Sequence, residues 1–227
     1  MRVLTWNLMH GRAVSSAGHD LFEEFAAALA GWEWDVALLQ EVPPWWPASL
    51  GERLVAAQRC VLTSRNFALP VRRAVAVRWP DLIKSNGGGA NAILVRGHEV
   101  MEHRWRRLCV FPERRWVHAV RLACGLWIGN VHTAADARQG VRAGAAVLGW
   151  AAGAPVVLGG DFNVRGLALE GFTLAGANGV DQVFVGDGLS VSAGASVLHR
   201  GRLSDHAPVL VSVMRNAEYV GKIDHAR

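Results

Sequence analysis

Cysteine is scarce in this chain of 227 residues, which holds three: Cys60, Cys109 and Cys124. An odd number with no paired C-x-x-C spacing argues against a disulfide framework or a zinc knuckle and suits a reducing, cytoplasmic setting. Long apolar runs are missing too. No segment approaches the roughly 18 residues needed to cross a bilayer, and the start, Met1-Arg2-Val3-Leu4-Thr5-Trp6, reads as a strand rather than as a charged region ahead of an apolar stretch. Neither a signal peptide nor a membrane partner is expected. Low-complexity linkers and solenoid-length repeats are absent, and charged residues make up only 19% against 51% hydrophobic, a balance that supports a large core and no disordered segment. A single monomeric domain is expected over residues 1–214, followed by a tail, 215–227, that matches no known pattern.

Lysine is almost absent, with only Lys84 and Lys222, and the arginines that replace it are unevenly spread. Between Arg53 and Arg121 fourteen Arg or Lys stand against four acids, whereas the rest of the chain carries ten against fifteen. Two readings are open. Arginine-rich composition decorates solvated strands and loops, or the segment forms a basic wall beside an acidic centre, which would draw in a polyphosphate backbone.

Apolar periodicity predicts helices near 20–30, where Asp20 and Glu23 resemble a capping pair and Gly31 closes the segment, and at 48–58 and 136–152. Continuous apolar runs predict strands at 3–6, 36–39, 60–62, 73–78, 91–95, 155–158, 181–185 and 207–213, with antiparallel pairing across 99–131. Helices alternating with buried strands, plus a long all-strand stretch, imply an α/β fold with helices outside a pair of mixed sheets. Chemistry-bearing residues fall at strand ends: Thr5-Trp6-Asn7, Gln40-Glu41-Val42, Asn130-Val131-His132-Thr133, Gly159-Gly160-Asp161-Phe162-Asn163 and Ser204-Asp205-His206.

Taken in that order, these five pieces resemble the endonuclease/exonuclease/phosphatase (DNase I-like) superfamily, which includes pancreatic-type deoxyribonucleases, apurinic endonucleases, sphingomyelinases and inositol-polyphosphate phosphatases. The match covers almost the whole chain. It implies a four-layer α/β sandwich, two mixed and mainly antiparallel sheets flanked by helices, with the site at one edge. It implies a phosphoric ester hydrolase using Mg²⁺, or Mn²⁺, held by Glu41 with Asn7 and Asp205. The resemblance casts Asp161 as the group that orients or deprotonates the attacking water, Asn163 and His132 as phosphate contacts, and His206, paired with Asp181, as the imidazole across the phosphate. His132 matches the nuclease and sphingomyelinase branches and counts against an abasic-site enzyme. Asn91, in Gly89-Ala90-Asn91-Ala92-Ile93-Leu94, is expected at a structural or substrate-edge position. Arg114 and Arg115 are expected to meet substrate.

Each residue has a plainer reading. Gly-Gly-Asp alone suits a tight turn, Asp181 could cap its strand, and tryptophans such as Trp45 and Trp46 pack in cores more often than they stack on bases. The remaining histidines, His10, His98 and His103 among them, show no ligand spacing and read as surface or turn residues. The favoured function is a Mg²⁺-dependent nuclease. A phosphodiesterase or phosphatase acting on a small molecule or lipid headgroup is the alternative, and a catalytically silent binding module is the third reading.

Overall fold

The computed structural model describes residues 1–63, 66–79, 82, 89–111 and 113–216. In chain order the elements are β1 (Arg2–Asn7), α1 (Phe22–Gly31), β2 (Val36–Val42), α2 (Trp46–Leu54), β3 (Ala57–Leu62), α3 (Leu69–Arg78), β4 (Ala90–Val95), β5 (Val100–Cys109), β6 (Arg115–Leu122), β7 (Trp127–His132), α4 (Ala137–Ala151), β8 (Val156–Asp161), β9 (Phe172–Asn178), β10 (Asp181–Gly186), β11 (Leu189–Val197) and β12 (Val209–Arg215). Two six-stranded sheets result, one ordered β11-β12-β1-β2-β4-β3 and the other β5-β6-β7-β8-β10-β9. Each has one central parallel pair, β1–β2 and β7–β8, amid antiparallel neighbours.

Three apolar layers hold the sandwich. Val3, Val36, Leu38, Ile93 and Val211 of the first sheet meet Val120, Ile128, Val157 and Val183 of the second. Leu4, Leu39 and Leu94, on the first sheet's other face, pack on Phe25 and Leu29 of α1 and Leu50 of α2. Val117, Val131 and Leu158 do the same against Ala143 and Val147 of α4. The expected four layers, helix, sheet, sheet and helix, are therefore present. Successive residues of a strand face opposite sides, so the central strands are buried on both faces and read as continuous apolar runs.

Some local expectations change. Residues 73–78 are the end of α3 rather than a strand: Ala74-Val75-Ala76-Val77 imitates a β run, but Pro70 in the first turn presets helical φ. The second helix stops at Leu54, where Val55 takes a left-handed conformation (φ 51°) and releases the chain into β3. The first helix begins at Phe22, after Leu21, without a side-chain cap bond. The sequence offers β9 and β11 no strand signal: exposed Ser, Ala and Gly dominate β11, and β9 carries Ala-Gly-Ala-Asn after Phe172-Thr173-Leu174 without a clean alternation of buried and exposed residues. From residue 217 onward the expected tail lies outside the described residues. Among those described, no helix is long and apolar enough to cross a membrane.

The Gly159-Gly160 pair belongs to β8, not to a tight turn. Gly160 has φ 150°, and a Cβ there would meet the Val131 carbonyl oxygen at 1.9 Å across the parallel β7–β8 ladder. Backbone fills that space and cannot yield, so Gly160→Ala is expected to cost about 3 kcal/mol or more of unfolding free energy. Chemical denaturation measures it, and a loss below about 1 kcal/mol would refute the packing argument.

Candidate active site

On the face between the sheets, strand after strand changes from apolar to polar toward one common edge. β1 runs Val3, Thr5, Asn7; β2 runs Val36, Leu38, Gln40; β7 runs Ile128, Asn130, His132; β8 runs Val157, Gly159, Asp161; β10, running the other way, ends Val183, Asp181. Register then aligns the ends. His132 lies opposite Asp161 and Asp161 opposite Asp181, so three neighbouring strands of one sheet present them in a single row. Asn7 lies beside Gln40 in the other sheet. Behind this edge the sheets are tied together: Gln40 Nε2 donates to Asn130 Oδ1 (2.8 Å), and Asn130 Nδ2 donates to the carbonyls of Leu39 (3.0 Å) and Ala92 (2.9 Å). In a buried setting each such bond is worth about 0.5–1.5 kcal/mol and costs more if broken.

Asp161 is at the centre. Its Oδ2 accepts from Asn7 Nδ2 (2.9 Å) and its Oδ1 from the Asn163 backbone N–H (2.9 Å). His132 Nε2 stands 3.5 Å and His206 Nε2 3.9 Å from the same Oδ2. Asn163 is held by its amide nitrogen, which donates to the Thr133 carbonyl (2.9 Å). The loop carrying His206 is anchored on β1: Ser204 Oγ donates to the Asn7 carbonyl (2.7 Å) and accepts the His206 N–H (3.1 Å), while Trp6 Nε1 donates to the His206 carbonyl (2.9 Å). Ser204 and Trp6 are thus positioning residues that the sequence patterns contained without revealing their task.

His206 Nδ1 and Asp181 Oδ2 are 2.7 Å apart. Burial would push the imidazole down, but the Asp181 hydrogen bond and the charges of Asp181, Asp161 and Asp205 outweigh it and bring His206 up to about 9. Burial raises the Asp181 carboxyl to about 6, against the pull of His206. The pair is therefore imidazolium and carboxylate around neutral pH. Because the folded state holds the His206 proton more tightly than the unfolded chain, the stabilisation is complete below about pH 6.5 and fades as pH rises through 9. In metal-free protein, unfolding free energy is expected to fall by about 3 kcal/mol between those limits, and His206→Ala should abolish that fall. An unchanged pH slope in the variant would show that the pair does not titrate there.

His132 differs. Arg115, a permanent donor, points a guanidinium nitrogen at His132 Nδ1 (2.8 Å), so that ring nitrogen accepts and the proton sits on Nε2, toward Asp161. Burial, then the charges of Arg115, His10 and His206, hold the ring well below its ordinary value. His132 is a neutral N–H donor. Arg115 also pairs with Glu113 (2.9 Å) and serves the site through His132. Arg114 is exposed on the connection into β6, and Asn91 is fully buried between the sheets on β4.

Glu41 breaks the strand alternation. The β2–β4 register shifts between Leu39 and Val42, and Glu41 takes φ 50° within that irregularity. Its Oε2 comes to 3.2 Å from His10 Nε2 and its Oε1 to 3.9 Å from His132 Nε2. A left-handed non-glycine residue costs about 1–2 kcal/mol. Among the described residues eight non-glycines have positive φ, and five of them, Met9, His10, Glu41, Asn163 and Ser204, surround this edge, the clustering expected where strain serves a site. His10, expected at the surface, is instead a neighbour of Glu41. Asp205 is the most exposed of the expected acids, its Oδ1 3.9 Å from His206 Nε2.

A model of the Endonuclease/Exonuclease/phosphatase family matches residues 4–206. The chain belongs to this family. As an endonuclease/exonuclease/phosphatase protein it is a phosphoric ester hydrolase, and the family generally depends on a divalent metal. Solved structures share its fold. An endonuclease/exonuclease/phosphatase from Beutenbergia cavernae aligns with TM-score 0.68 at 20% identity, over 95% of this chain and 71% of that one. A mannosyl-6-phosphatase from Bacteroides thetaiotaomicron aligns with TM-score 0.68 at 17% identity, over 94% and 99%. TDP2 from D. rerio, complexed with a single strand DNA product, aligns with TM-score 0.65 at 15% identity, over 94% and 98%. No curated protein matches the sequence.

Proposed function

We propose that the chain hydrolyses phosphodiesters in nucleic acid with Mg²⁺, or Mn²⁺, as its cation. The observation that supports this best is the pairing of opposite functions across one gap: the Asp161 carboxylate faces the His206 imidazolium and the neutral His132 N–H, with Asp181 holding His206 charged. A phosphoryl group lying over these three groups, rather than between them, would place nonbridging oxygens against the two histidine N–H groups, and Asp161 Oδ2 would orient and deprotonate the attacking water. His132, with no proton to give up beyond its Nε2–H, acts by hydrogen bonding rather than as a general acid. Asn163 borders the phosphate from the turn after β8.

The cation fits Glu41 best. Hard oxygen donors suit Mg²⁺; the Glu41 carboxylate is strained into the opening, Asn7 Oδ1 accepts the Met9 N–H (2.9 Å) and keeps a second lone pair, and Asp205 lies on the far rim. Asp161, Asp181 and His206 also offer ligand atoms within 4.8 Å of one another. That grouping is the poorer holder, because Asp181 and His206 are bonded to each other and imidazole is a soft partner for magnesium. When bound, the cation would supply charge neutralisation for the phosphate and the leaving oxygen.

The basic segment supports a polynucleotide in part only. On β5, Arg104 and Arg106 pair with Ala119 and Val117, whose side chains face α4, so both point away from the gap, whereas Arg107 pairs with Trp116 on the side of the site. The resemblance in fold to a mannosyl-6-phosphatase favours a small-phosphoester reading as well. Salt separates the two. Assays on plasmid DNA, single-stranded DNA, RNA and a small phosphodiester, each with Mg²⁺ and with chelator, are expected to show nucleic-acid cleavage whose binding falls with a log–log salt slope of roughly −0.9 per duplex phosphate contacted. Charge reversal at Arg107 should flatten that slope and reversal at Arg104 and Arg106 should not. A shallow slope together with efficient hydrolysis of the small ester would overturn the nucleic-acid reading.

A further inference from the structure

The turn after β1 is built from three successive residues with left-handed backbone: Met9 (φ 48°), His10 (φ 56°) and Gly11 (φ 73°). Glycine adopts that conformation without strain, but methionine and histidine hold it only where their surroundings enforce it. Those surroundings are the two flanks of Glu41. Before it, the Gln40 carbonyl accepts the Leu8 N–H (2.8 Å), and the Gly11 N–H closes the turn on the Leu8 carbonyl (2.8 Å). After it, Pro43 and Trp46 press on Gly11, where a Cβ would meet Trp46 at 2.5 Å and Pro43 at 2.9 Å, so only backbone fits. The His10 ring is confined from a third side by Gly89, where a Cβ would touch the ring at 3.5 Å.

This strain delivers two contacts. The Met9 N–H donates to Asn7 Oδ1 (2.9 Å), and His10 Nε2 stands 3.2 Å from Glu41 Oε2, within hydrogen-bond range. Asn7 and Glu41 are the oxygen donors that the first sheet offers to the cation, so adjacent residues of one turn hold both of them. Glu41 needs such a hold. Its backbone lies at φ 50° within the break in β2–β4 register, and its carboxylate ends a side chain with three rotatable bonds. His132 Nε2, at 3.9 Å from Oε1, is too far to fix it. Among the described residues His10 is the side chain that reaches this carboxylate at hydrogen-bond distance, in a pair 19% and 25% exposed where water competes weakly. An ionised carboxylate can only accept, so the hydrogen lies on Nε2.

We propose that His10 is a positioning residue of the cation site: its Nε2–H holds Glu41 Oε2 and leaves Oε1, on the side facing His132, to the cation. The inference rests on the reading of Glu41 as a cation ligand and adds the group that orients it. Hydrogen-bond partners of a ligating carboxylate fix its direction, and their loss typically weakens metal affinity by about 10–100-fold. A purely structural bond between two partly exposed side chains would change stability slightly and leave cation affinity alone. Direct ligation by His10 is a different arrangement, since imidazole suits softer metals than Mg²⁺ and would have to give up the Glu41 bond.

The test uses the full chain without substrate and Mn²⁺ as the probe, its binding followed by loss of the free-ion electron paramagnetic resonance signal. In His10→Asn the side chain is too short to reach Glu41, while asparagine accepts a left-handed φ and keeps the turn. His10→Gln places an amide N–H at about the reach of Nε2. Mn²⁺ affinity is expected to fall about 10–100-fold in His10→Asn and to recover most of that loss in His10→Gln. In a Glu41→Ala background His10→Asn should add nothing. An unchanged Mn²⁺ affinity in His10→Asn, no recovery in His10→Gln, or the same loss without Glu41 overturns the positioning role. A nitrogen coupling in the pulsed spectrum of bound Mn²⁺ that vanishes in His10→Asn also overturns it, because His10 would then be a direct ligand. Mn²⁺ affinity that ignores Glu41→Ala refutes the cation reading of Glu41 and this inference with it. The expected His10 effect in a protein that cleaves no nucleic acid sustains the positioning role and refutes the nucleic-acid reading alone.

Discussion

His206→Ala and Asp161→Asn are each expected to reduce kcat/KM on a phosphodiester by about 10³–10⁴-fold, since general acid–base and preorganised electrostatic terms each contribute about 10²–10⁴. Asp161 is held by Asn7 and by the Asn163 N–H, so the asparagine isostere preserves size and contacts on one side while removing the negative charge. His206 depends on Asp181 for its tautomer and its charge, through the 2.7 Å bond. Asp181→Asn should therefore cost less than His206→Ala, and the double variant His206→Ala/Asp181→Asn little more than His206→Ala alone, the non-additivity of groups that act as a unit. Steady-state kinetics on the four proteins checks this. Losses that simply multiply would show that Asp181 does not act through the histidine.

Removal of the cation is expected to be comparably severe. Chelator should abolish activity and added Mg²⁺ or Mn²⁺ should restore it. Glu41→Ala should lose about 10³-fold or more at saturating Mg²⁺, because the proposed cation position takes its hard oxygen donors from Glu41 with Asn7 and Asp205. Stability should barely move. Alanine keeps the same strained φ of 50°, and among the described residues Glu41 pairs with His10 and His132 across a partly solvated space. Activity assays beside thermal unfolding decide it: a folded Glu41→Ala protein with full Mg²⁺-dependent activity would remove Glu41 from the cation site.

Much of the site was legible because strand periodicity is simple. Asn7, His132 and Asp161 each close a strand whose alternation starts from valine or isoleucine and turns polar or small, Asp181 opens one that continues into valine, and strand ends are where polar groups can leave a core without losing their partners. The helix over 136–152 was visible for similar reasons, with Asp136 accepting the Arg138 N–H at its start. Elements with weak signals were missed or misread. The Ala-Val repeat of α3 has strand character and no buried face, β11 is built largely of small, exposed residues, and β9 lacks a clean two-residue burial period. The glycines before Asp161 left a tight turn open as the plainer alternative, because the Val131 carbonyl that forbids a side chain there comes from a strand nearly thirty residues away.

By itself, the sequence determined the α/β layering, the family, and the acids and imidazoles that the site would use, since each of these rests on residue type and short-range spacing. Tertiary structure alone decided how they are matched. Register put Asp161 between His132 and Asp181, the Ser204 loop turned His206 toward Asp181, an irregular β2–β4 pairing brought Glu41 beside His10, and Arg115 fixed the proton of His132. It also divided the arginines of β5 between two faces and left Trp116 with an unanswered N–H next to His132. The physical reason is range: side-chain period and propensity act over a few residues, whereas a pKa, a tautomer or an orphan donor depends on groups that only sheet pairing brings within a few ångströms.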